Sequence, residues 1–363
     1  MTFNVLALLT AVLVLCTVLP LSRREAWWVR GWDFPRLQLG VLALALAAAE
    51  LAWLDLLTPS GAVMLLATLA CASYQAWWIV PYTRLHRHEV GPATAGRGDA
   101  DRLRIMCANV LMTNHDSAAL LALVAEHRPD VLVTLESDAW WQARLDALGA
   151  DYPHRLQCPL DNLYGMHLYS RLPLSDAAVQ FLVQPHVPSM HACVALRSGR
   201  SVRLHFLHPA PPSPTENPGS GERDAELLVV GRSVAGADMP VVVAGDLNDV
   251  AWSATTRLFR RVSGLLDPRI GRGLYNTFHA RWWFVRWPLD HMFVSAHFRL
   301  VTMHRLTYFG SDHFPVLIDL DCEPQRESDQ DGGLDAAPDD RQRASAKIAA
   351  QDVRVGDVHQ PDR

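Results

Sequence analysis

The sequence predicts a layered α/β domain set behind three membrane-spanning helices. Residues 1–81 hold three apolar runs, each close to the roughly 20 residues that cross a bilayer as a helix. The next stretch, about 220 residues and enough for one sizeable core, alternates short apolar strands with helical segments, as a layered domain does. A third observation concerns chemistry. In Gly310-Ser311-Asp312-His313-Phe314-Pro315-Val316 an ionisable pair directly precedes the apolar strand Val316-Leu317-Ile318. That is a strand mouth, where α/β enzymes keep their reactive groups.

The three runs are Phe3 to Leu21, Leu37 to Leu57 and Ala62 to Val80. The first and third are free of charge, and the second carries only Glu50 and Asp55 near its end. The first run lacks the basic n-region of a signal peptide and two further spans follow it, so residues 1–87 read as a three-span anchor. Trp27, Trp28 and Trp32, then Trp77, Trp78 and Tyr82, fall near the expected ends as an aromatic belt would. Glu50 is expected near the interface or against a neighbouring helix. Arg23, Arg24, Arg30 and Arg36 lie in the first loop, and Arg84, Arg87 and Arg97 follow the third span. The amino terminus and the Thr58-Pro59-Ser60 turn carry no arginine. The positive-inside rule then puts the C-terminal part in the cytoplasm, behind a multi-pass anchor in the cell inner membrane.

Charge excludes a strongly basic nucleic-acid binder. The formal net charge is -5, and from Asp101 to Cys322 there are 20 Arg against 22 Asp and Glu, without a basic cluster. The single lysine is Lys347, a coding bias rather than a functional signal. Cysteines 16 and 71 lie in spans, and 107, 158, 193 and 322 are scattered without a CxxC pair, which argues against a zinc or disulfide framework. Residues 88–101 read as a linker, and residues 323–363 as a polar, mostly disordered tail with a short helix over Asp339 to Ala350.

Within residues 102–322 the pattern predicts a strand over Arg104 to Val110 and a helix over Ser117 to Glu126 capped by Asp116. A buried strand Val131 to Leu135 follows, then a helix Ala139 to Leu148. Strands are expected at His167–Ser170, His191–Leu196 and Val202–Leu207, a helix at Arg223–Ala235, and an apolar strand at Pro240–Gly245. A helix at Trp252–Arg261 and strands at Leu289–Val294, Phe298–Leu306 and Pro315–Leu320 complete the domain.

Polar residues at these strand ends form a set: Asn109, Glu136, His208, Asp246 with Asn248, Asp290, and Asp312 with His313. Each alone reads equally well as a turn former, a helix cap or a satisfied polar residue. Together they would bury four carboxylates, which is costly without cations. A hard divalent metal held by carboxylate and amide oxygens resolves that cost. No Ser or Cys nucleophile pattern competes, so direct attack by water is preferred to a covalent intermediate, with histidine suited to the proton roles near neutral pH.

Residues 101–322 resemble the endonuclease/exonuclease/phosphatase superfamily, the DNase I-like enzymes. The resemblance rests on Asn109, Glu136, Tyr169-Ser170-Arg171-Leu172-Pro173, His208, Gly245-Asp246-Leu247-Asn248, Leu289-Asp290-His291-Met292-Phe293 and Ser311 to Val316, in family order. His208-Pro-Ala-Pro-Pro212 behind membrane helices is similar to a bacterial membrane-anchored subgroup. The resemblance implies a four-layer α/β/β/α sandwich and a Mg²⁺-dependent phosphoesterase, with Mn²⁺ as an alternative ion. It implies Glu136 as principal metal ligand with Asn109 and Asp312 nearby. It implies Asp246 and Asn248 for orienting water and binding phosphate, and His313 as general base or phosphate-oxygen donor oriented by Asp290. His208 would stabilise or protonate the leaving oxygen. Arg171 could contact substrate phosphate or support a turn.

Arg281-Trp-Trp-Phe-Val-Arg-Trp287 concentrates aromatic residues just before Asp290. It reads either as a core strand or as an exposed loop that enters the bilayer interface or stacks on an organic group. His279 and Arg281 have no role assigned by sequence. The expected partners are the bilayer and a phosphoester substrate. A lipid-derived ester is slightly preferred over nucleic acid, which would need a basic footprint. The alternative from another class is a non-catalytic membrane scaffold that keeps the fold.

Overall fold

A computed structural model of the chain describes residues 1–22, 24–330 and 333–361. Arg23 of the first loop, residues 331–332 of the tail and residues 362–363 lie outside the described residues. The amino-terminal part is a bundle of α1 (Thr2–Val18), α3 (Arg36–Trp53) and α4 (Pro59–Ile79), with a one-turn helix α2 (Trp27–Arg30) in the first loop. Three helical stretches, Thr2–Leu21, Arg36–Trp53 and Pro59–Tyr82, are long and apolar enough to cross a membrane. Leu13, Cys16, Leu39, Ala43 and Cys71 pack inside the bundle. Leu8, Leu44 and Leu66 point outward and stay more than 60% exposed, a surface suited to lipid rather than water. Glu50 is fully buried and faces neighbouring helices: its Oε1 accepts from Thr10 Oγ1 at 2.6 Å and Thr68 Oγ1 at 3.0 Å. Trp27, Trp28 and Trp77 are exposed near helix ends. Tyr82 departs from the expected belt. It is buried against Trp252 and donates to the Ala251 carbonyl at 2.7 Å, because the α/β domain supplies both an aromatic face and an acceptor.

The α/β domain runs in order β1 (Arg102–Asn109), α5 (Ser117–His127), β2 (Val131–Leu135), α6 (Ala139–Leu145), β3 (His154–Cys158), β4 (Met166–Ser170), β5 (Leu174–Gln180), β6 (Ser189–Ala195) and β7 (Ser201–Phe206). It continues through α7 (Gly221–Ser233), β8 (Val241–Asp246), α8 (Ala254–Ser263), β9 (Asp290–Val294), β10 (Phe298–Arg305) and β11 (Val316–Cys322). One sheet has the order β10-β11-β1-β2-β4-β3 and the other β5-β6-β7-β8-β9. Side chains alternate across each strand. Ile105 and Cys107 of β1 face the layer between the sheets, with Val133, Leu168, Phe206 and Val242. Met106 and Ala108 face outward onto Leu120 and Val124 of α5 and Trp141 of α6. On the far side Leu228 of α7 and Phe259 of α8 cover Val243 and Phe293. The four-layer sandwich is therefore present.

Two strands were not legible in the sequence. β3 and β5 are half-exposed edge strands of mixed polarity, and β5 carries an irregularity between Ser175 and Ala178. Neither shows the apolar alternation that marks a strand. Residues 88–101 do more than link: Val90 is fully buried, and Ala93 N–H donates to the Leu300 carbonyl at 3.0 Å, extending the edge beside β10.

The tail corrects the expectation of disorder. Pro338–Ala349 forms α9, which buries Ala344 and Ile348 against the α7–α8 layer, and Val353 and Val358 follow them. Lys347 pairs with Asp224 at 2.8 Å and with Glu25 of the first loop. Composition concealed this because two apolar residues one turn apart are enough to dock a short helix on an existing core. Replacing Ile348 by Ala is expected to cost about 2–4 kcal/mol of stability, measured by chemical denaturation of the detergent-solubilised chain. A loss within about 0.5 kcal/mol, the range of surface substitutions, would mean that the helix is undocked in solution.

Candidate active site

Strand pairing brings the predicted residues together. β1 and β2 are parallel, so Asn109 and Glu136 leave the sheet at the same end. β11 pairs antiparallel to β1 with Val316 opposite Cys107, which delivers Asp312 and His313 to that end. In the other sheet Asp246 stands directly opposite Asp290, and the parallel pairing of β7 with β8 places His208 beside them. Gly245 makes this close approach possible. Its φ is +140°, and a Cβ there would meet the Leu207 carbonyl oxygen at 1.9 Å. Glu136 adopts φ 57° as β2 ends, a turn that few side chains tolerate.

The result is a cleft of about 290 Å³ lined by Glu136, His208, Asp246, Asn248, Asp312 and His313, among others. Asn109 Nδ2 donates to Glu136 Oε1 at 2.7 Å and to Asp246 Oδ2 at 3.2 Å, tying the two sheets together. His313 Nδ1 lies 2.8 Å from Asp290 Oδ2, and its Nε2 lies 3.3 Å from Asp246 Oδ2. Asn248 N–H donates to Asp246 Oδ1 at 2.9 Å, and its side-chain amide donates to the Pro209 carbonyl at 3.1 Å. His208 Nε2 is 3.9 Å from Asp246 Oδ2.

Burial and these contacts separate the proton affinities. Burial raises Glu136 to about 7, against the pull of Asn109 and His313. Burial also opposes charge on Asp246, but His313, His208 and the Asn248 N–H outweigh it and hold that carboxyl below its ordinary range. Burial lowers His208, with the Asp246 carboxylate opposing, and this favours the neutral imidazole. For His313 burial is again the largest single influence, yet Asp290 and Asp246 together reverse it and raise the imidazole to about 10. Burial pushes Asp290 up while His313 pulls it down. Because two carboxylates face one imidazole, the charged His313 is the form this geometry favours.

The donor set fits a hard divalent cation. Glu136 and Asp312 face the cleft with the Asn109 amide beside them, and the raised Glu136 is what a carboxylate shows when cationic compensation is missing. Asp246, Asp290 and His313 also bring ligand atoms within 4.8 Å of one another. There, however, the imidazole sits between the two carboxylates, an arrangement for holding a proton rather than caging an ion.

Arg171 is not brought to the site. Its backbone N–H donates to the Asp130 carbonyl at 2.9 Å, and its neighbour Ser170 pairs with Val131, the first residue of β2. It therefore lies at the opposite end of a five-residue strand from Glu136, about 16 Å along at the strand rise. Its reading as a phosphate contact is corrected in favour of turn support.

Sequence reasoning missed several contributors. Ser311 Oγ donates to the Asn109 carbonyl at 2.7 Å and accepts the His313 N–H at 3.1 Å, pinning the last turn to the first strand. Thr277 Oγ1 accepts the Asp290 N–H at 3.2 Å. The Phe278 ring packs 5.0 Å from His313, and the Tyr164 ring 5.2 Å from His208 while its hydroxyl bonds Glu216. Only Ser311 carried a signal, its position in the Ser-Asp-His run. Arg281 also gains a role: it bonds Tyr308 Oη at 3.1 Å and the Gly310 carbonyl at 3.2 Å, stapling its loop to the turn before Asp312. His279 Nδ1 accepts the Arg281 N–H at 3.2 Å.

The His313 contacts set a pH dependence. With a folded value near 10 against an ordinary 6.5, its contribution to stability is complete below about pH 6.5 and disappears as pH rises through about 10. In the metal-free chain, ¹⁵N NMR titration should find His313 still protonated at pH 8, and Asp290→Asn should lower its pKa by more than about one unit. An imidazole already neutral at pH 7 would contradict the geometry.

A profile of the Endonuclease/Exonuclease/phosphatase family matches residues 106–313, more than half of the chain. No curated protein sequence matches it. Solved structures do. An endonuclease/exonuclease/phosphatase from Beutenbergia cavernae is 20% identical, covering 61% of this chain and 72% of that one, with a TM-score of 0.50. Humanized D. rerio TDP2 is 18% identical, covering 61% and 99%, with a TM-score of 0.50. The catalytic domain of human Nocturnin, with bound sulfate, is 17% identical, covering 61% and 95%, with a TM-score of 0.50. At such identities the likeness speaks for the fold alone. The family match is the stronger finding, since it runs from the middle of β1 to His313 itself: the chain belongs to the endonuclease/exonuclease/phosphatase family and is a metal-dependent hydrolase of phosphoester bonds.

Proposed function

We propose that the chain is a bacterial, membrane-anchored, Mg²⁺-dependent phosphodiesterase or phosphatase that hydrolyses a lipid-derived phosphoester. The observation that carries this reading is the position of the catalytic cleft against the anchor. Phe34, from the loop before α3, lines the cleft and packs edge-on against Trp287 at 5.5 Å. Gln38, in the first turn of α3, donates to the Phe284 carbonyl at 3.0 Å. That bond holds the Trp282-Trp283-Phe284 loop at the depth where the second span begins, and all three side chains are at least half exposed. Of the two sequence readings, this supports the exposed loop entering the bilayer interface. A cleft walled by such a loop suits a substrate presented from the bilayer.

Glu136 and Asp312, with the Asn109 amide beside them, would hold Mg²⁺, which would supply neutralisation of charge on the phosphate oxygens. Asp246, kept anionic, accepts the proton of the attacking water, and Asn248 orients that water and the phosphate. Protonated His313, oriented by Asp290, donates to a non-bridging phosphate oxygen. His208 offers an N–H to the leaving oxygen, which takes its proton from solvent in the open cleft.

Nucleic acid is the weaker substrate class because the domain has near-equal Arg and acidic counts and no basic cluster along its sequence. A scaffold without activity would have no use for a paired His313 and Asp290. By the arginine bias, the catalytic domain faces the cytoplasm from the inner membrane.

The full chain with Mg²⁺ should release phosphorylated head groups from phospholipid vesicles faster than it cuts single- or double-stranded DNA, and Asp246→Ala should abolish turnover by about 10²–10⁴-fold. Rapid DNA cutting lost in Asp246→Ala would sink the lipid reading. A Trp282→Ser, Trp283→Ser double variant should lower kcat/KM on vesicles at least about tenfold, the loss expected from removing two interfacial aromatics. Its hydrolysis of a small soluble phosphodiester should stay unchanged, and equal losses on both substrates would remove the loop from substrate access.

A further inference from the structure

A second cavity, about 650 Å³ in volume, lies where the third span meets the catalytic domain, and it shares no lining residue with the catalytic cleft. One wall is the end of that span, with Trp77, Trp78 and Pro81; the other is Trp252 and Ile270 of the catalytic domain. Trp77 is 71% exposed and Trp252 is buried, so the wall grades from an outward indole to a packed one.

Among the described residues lining this cavity, Arg257 has no share in the one carboxylate. Glu89 is its carboxylate, and it is engaged: it pairs with Arg260 and accepts the Asp267 N–H at 2.6 Å. Arg257 is half-buried with its guanidinium 4.7 Å over the Trp78 ring, and among the described residues it has no carboxylate within ion-pair distance. Burial works against its charge without an anion to offset it. Arg87 and His86 line the same cavity. The Trp78 indole N–H is also buried and, among the described residues, finds no acceptor. An arginine lacking its anion, an unused N–H donor and apolar walls at the last turns of a span are complementary to one kind of molecule. That molecule has an anionic head and an apolar body and is present at the membrane interface.

We propose that this cavity seats one anionic phospholipid of the surrounding bilayer, with its phosphate on Arg257 and its chains along the Trp77 face. The lipid is a bound partner at the joint between anchor and enzyme, distinct from the substrate, and the inference stands whether or not the catalytic cleft hydrolyses lipid. Seated there, it would cement α4 to α8, whose Arg257 and Trp78 meet across the joint.

The test uses the full chain, delipidated in maltoside detergent and offered phosphatidylglycerol or phosphatidylcholine, with bound lipid counted by native mass spectrometry. One phosphatidylglycerol should be retained about fivefold over phosphatidylcholine, the preference expected of one well-placed arginine. Arg257→Gln should abolish that preference and Arg257→Lys should keep part of it, while hydrolysis of a small soluble phosphodiester is unchanged in both. Trp77→Ala, at an exposed position, reads the site without touching the charge and should lower retention of both lipids. Equal retention of the two lipids, a preference surviving Arg257→Gln, or retention indifferent to Trp77→Ala would each overturn the proposal. Arg257-dependent thermal stabilisation by inorganic phosphate equal to that by lipid would overturn the lipid as its occupant.

Discussion

His313 lies between two buried carboxylates, 2.8 Å from Asp290 and 3.3 Å from Asp246, and the arrangement of both sheets serves that contact. Asp246 and Asp290 come from adjacent strands of one sheet, whereas His313 precedes a strand of the other. The ion pairs therefore close across the sandwich, and Asn109 repeats the closure by donating to Glu136 and Asp246 together. Leaving any of these carboxylates unpaired in such a site would cost several kcal/mol. The packed layer between the sheets is what makes the cost avoidable, because Ile105, Val133, Phe206 and Val242 hold the strand ends in register.

The amino-terminal helices are joined to this core at more than one place. Trp252 Nε1 donates to the Asp33 carbonyl at 2.7 Å, and Tyr82 donates to the Ala251 carbonyl, so two adjacent residues of one catalytic-domain turn are fastened to residues bordering the apolar helices. Arg223 extends the connection inward: it pairs with Asp224 and Asp249 and donates to the Asn248 carbonyl at 2.8 Å. Asn248 borders the catalytic cleft, and Asp224 pairs with Lys347 of α9. A continuous run of charged hydrogen bonds thus links the tail helix, the first loop and the edge of the site. Such networks rigidify only when each member is satisfied.

Much of the fold and site was legible because it depends on local pattern. Apolar runs mark β1, β2, β8 and β11, and the polar residues at one end of each mark the mouth of the site. The passages that misled are those where the neighbour decides. β3 and β5 become strands by pairing at sheet edges, with little apolar content of their own. The tail helix itself was expected over Asp339 to Ala350, but its docking depends on the apolar surface that α7 and α8 offer to Ala344 and Ile348. Arg171 belongs to a run quoted for the resemblance, yet the antiparallel course of β4 sends it to the far end of the sheet. Ser311 and Thr277 act through hydrogen bonds to backbone groups distant in sequence, and no spacing rule announces those.

The sequence by itself determined three apolar spans, an α/β domain behind them, and the identities of Glu136, Asp246, Asp290, Asp312 and His313 as site residues. Hydropathy and strand periodicity are properties of neighbouring residues, and they can be read along the chain. Tertiary structure alone decided that His313 lies between two carboxylates, which favour its charged form. It also decided that Phe34 lines the cleft, that Gln38 holds the Phe284 carbonyl, and that Arg257 has no carboxylate partner among the described residues. Proton affinity, cleft lining and charge pairing arise from groups far apart in sequence, and only packing brings them within a few ångströms.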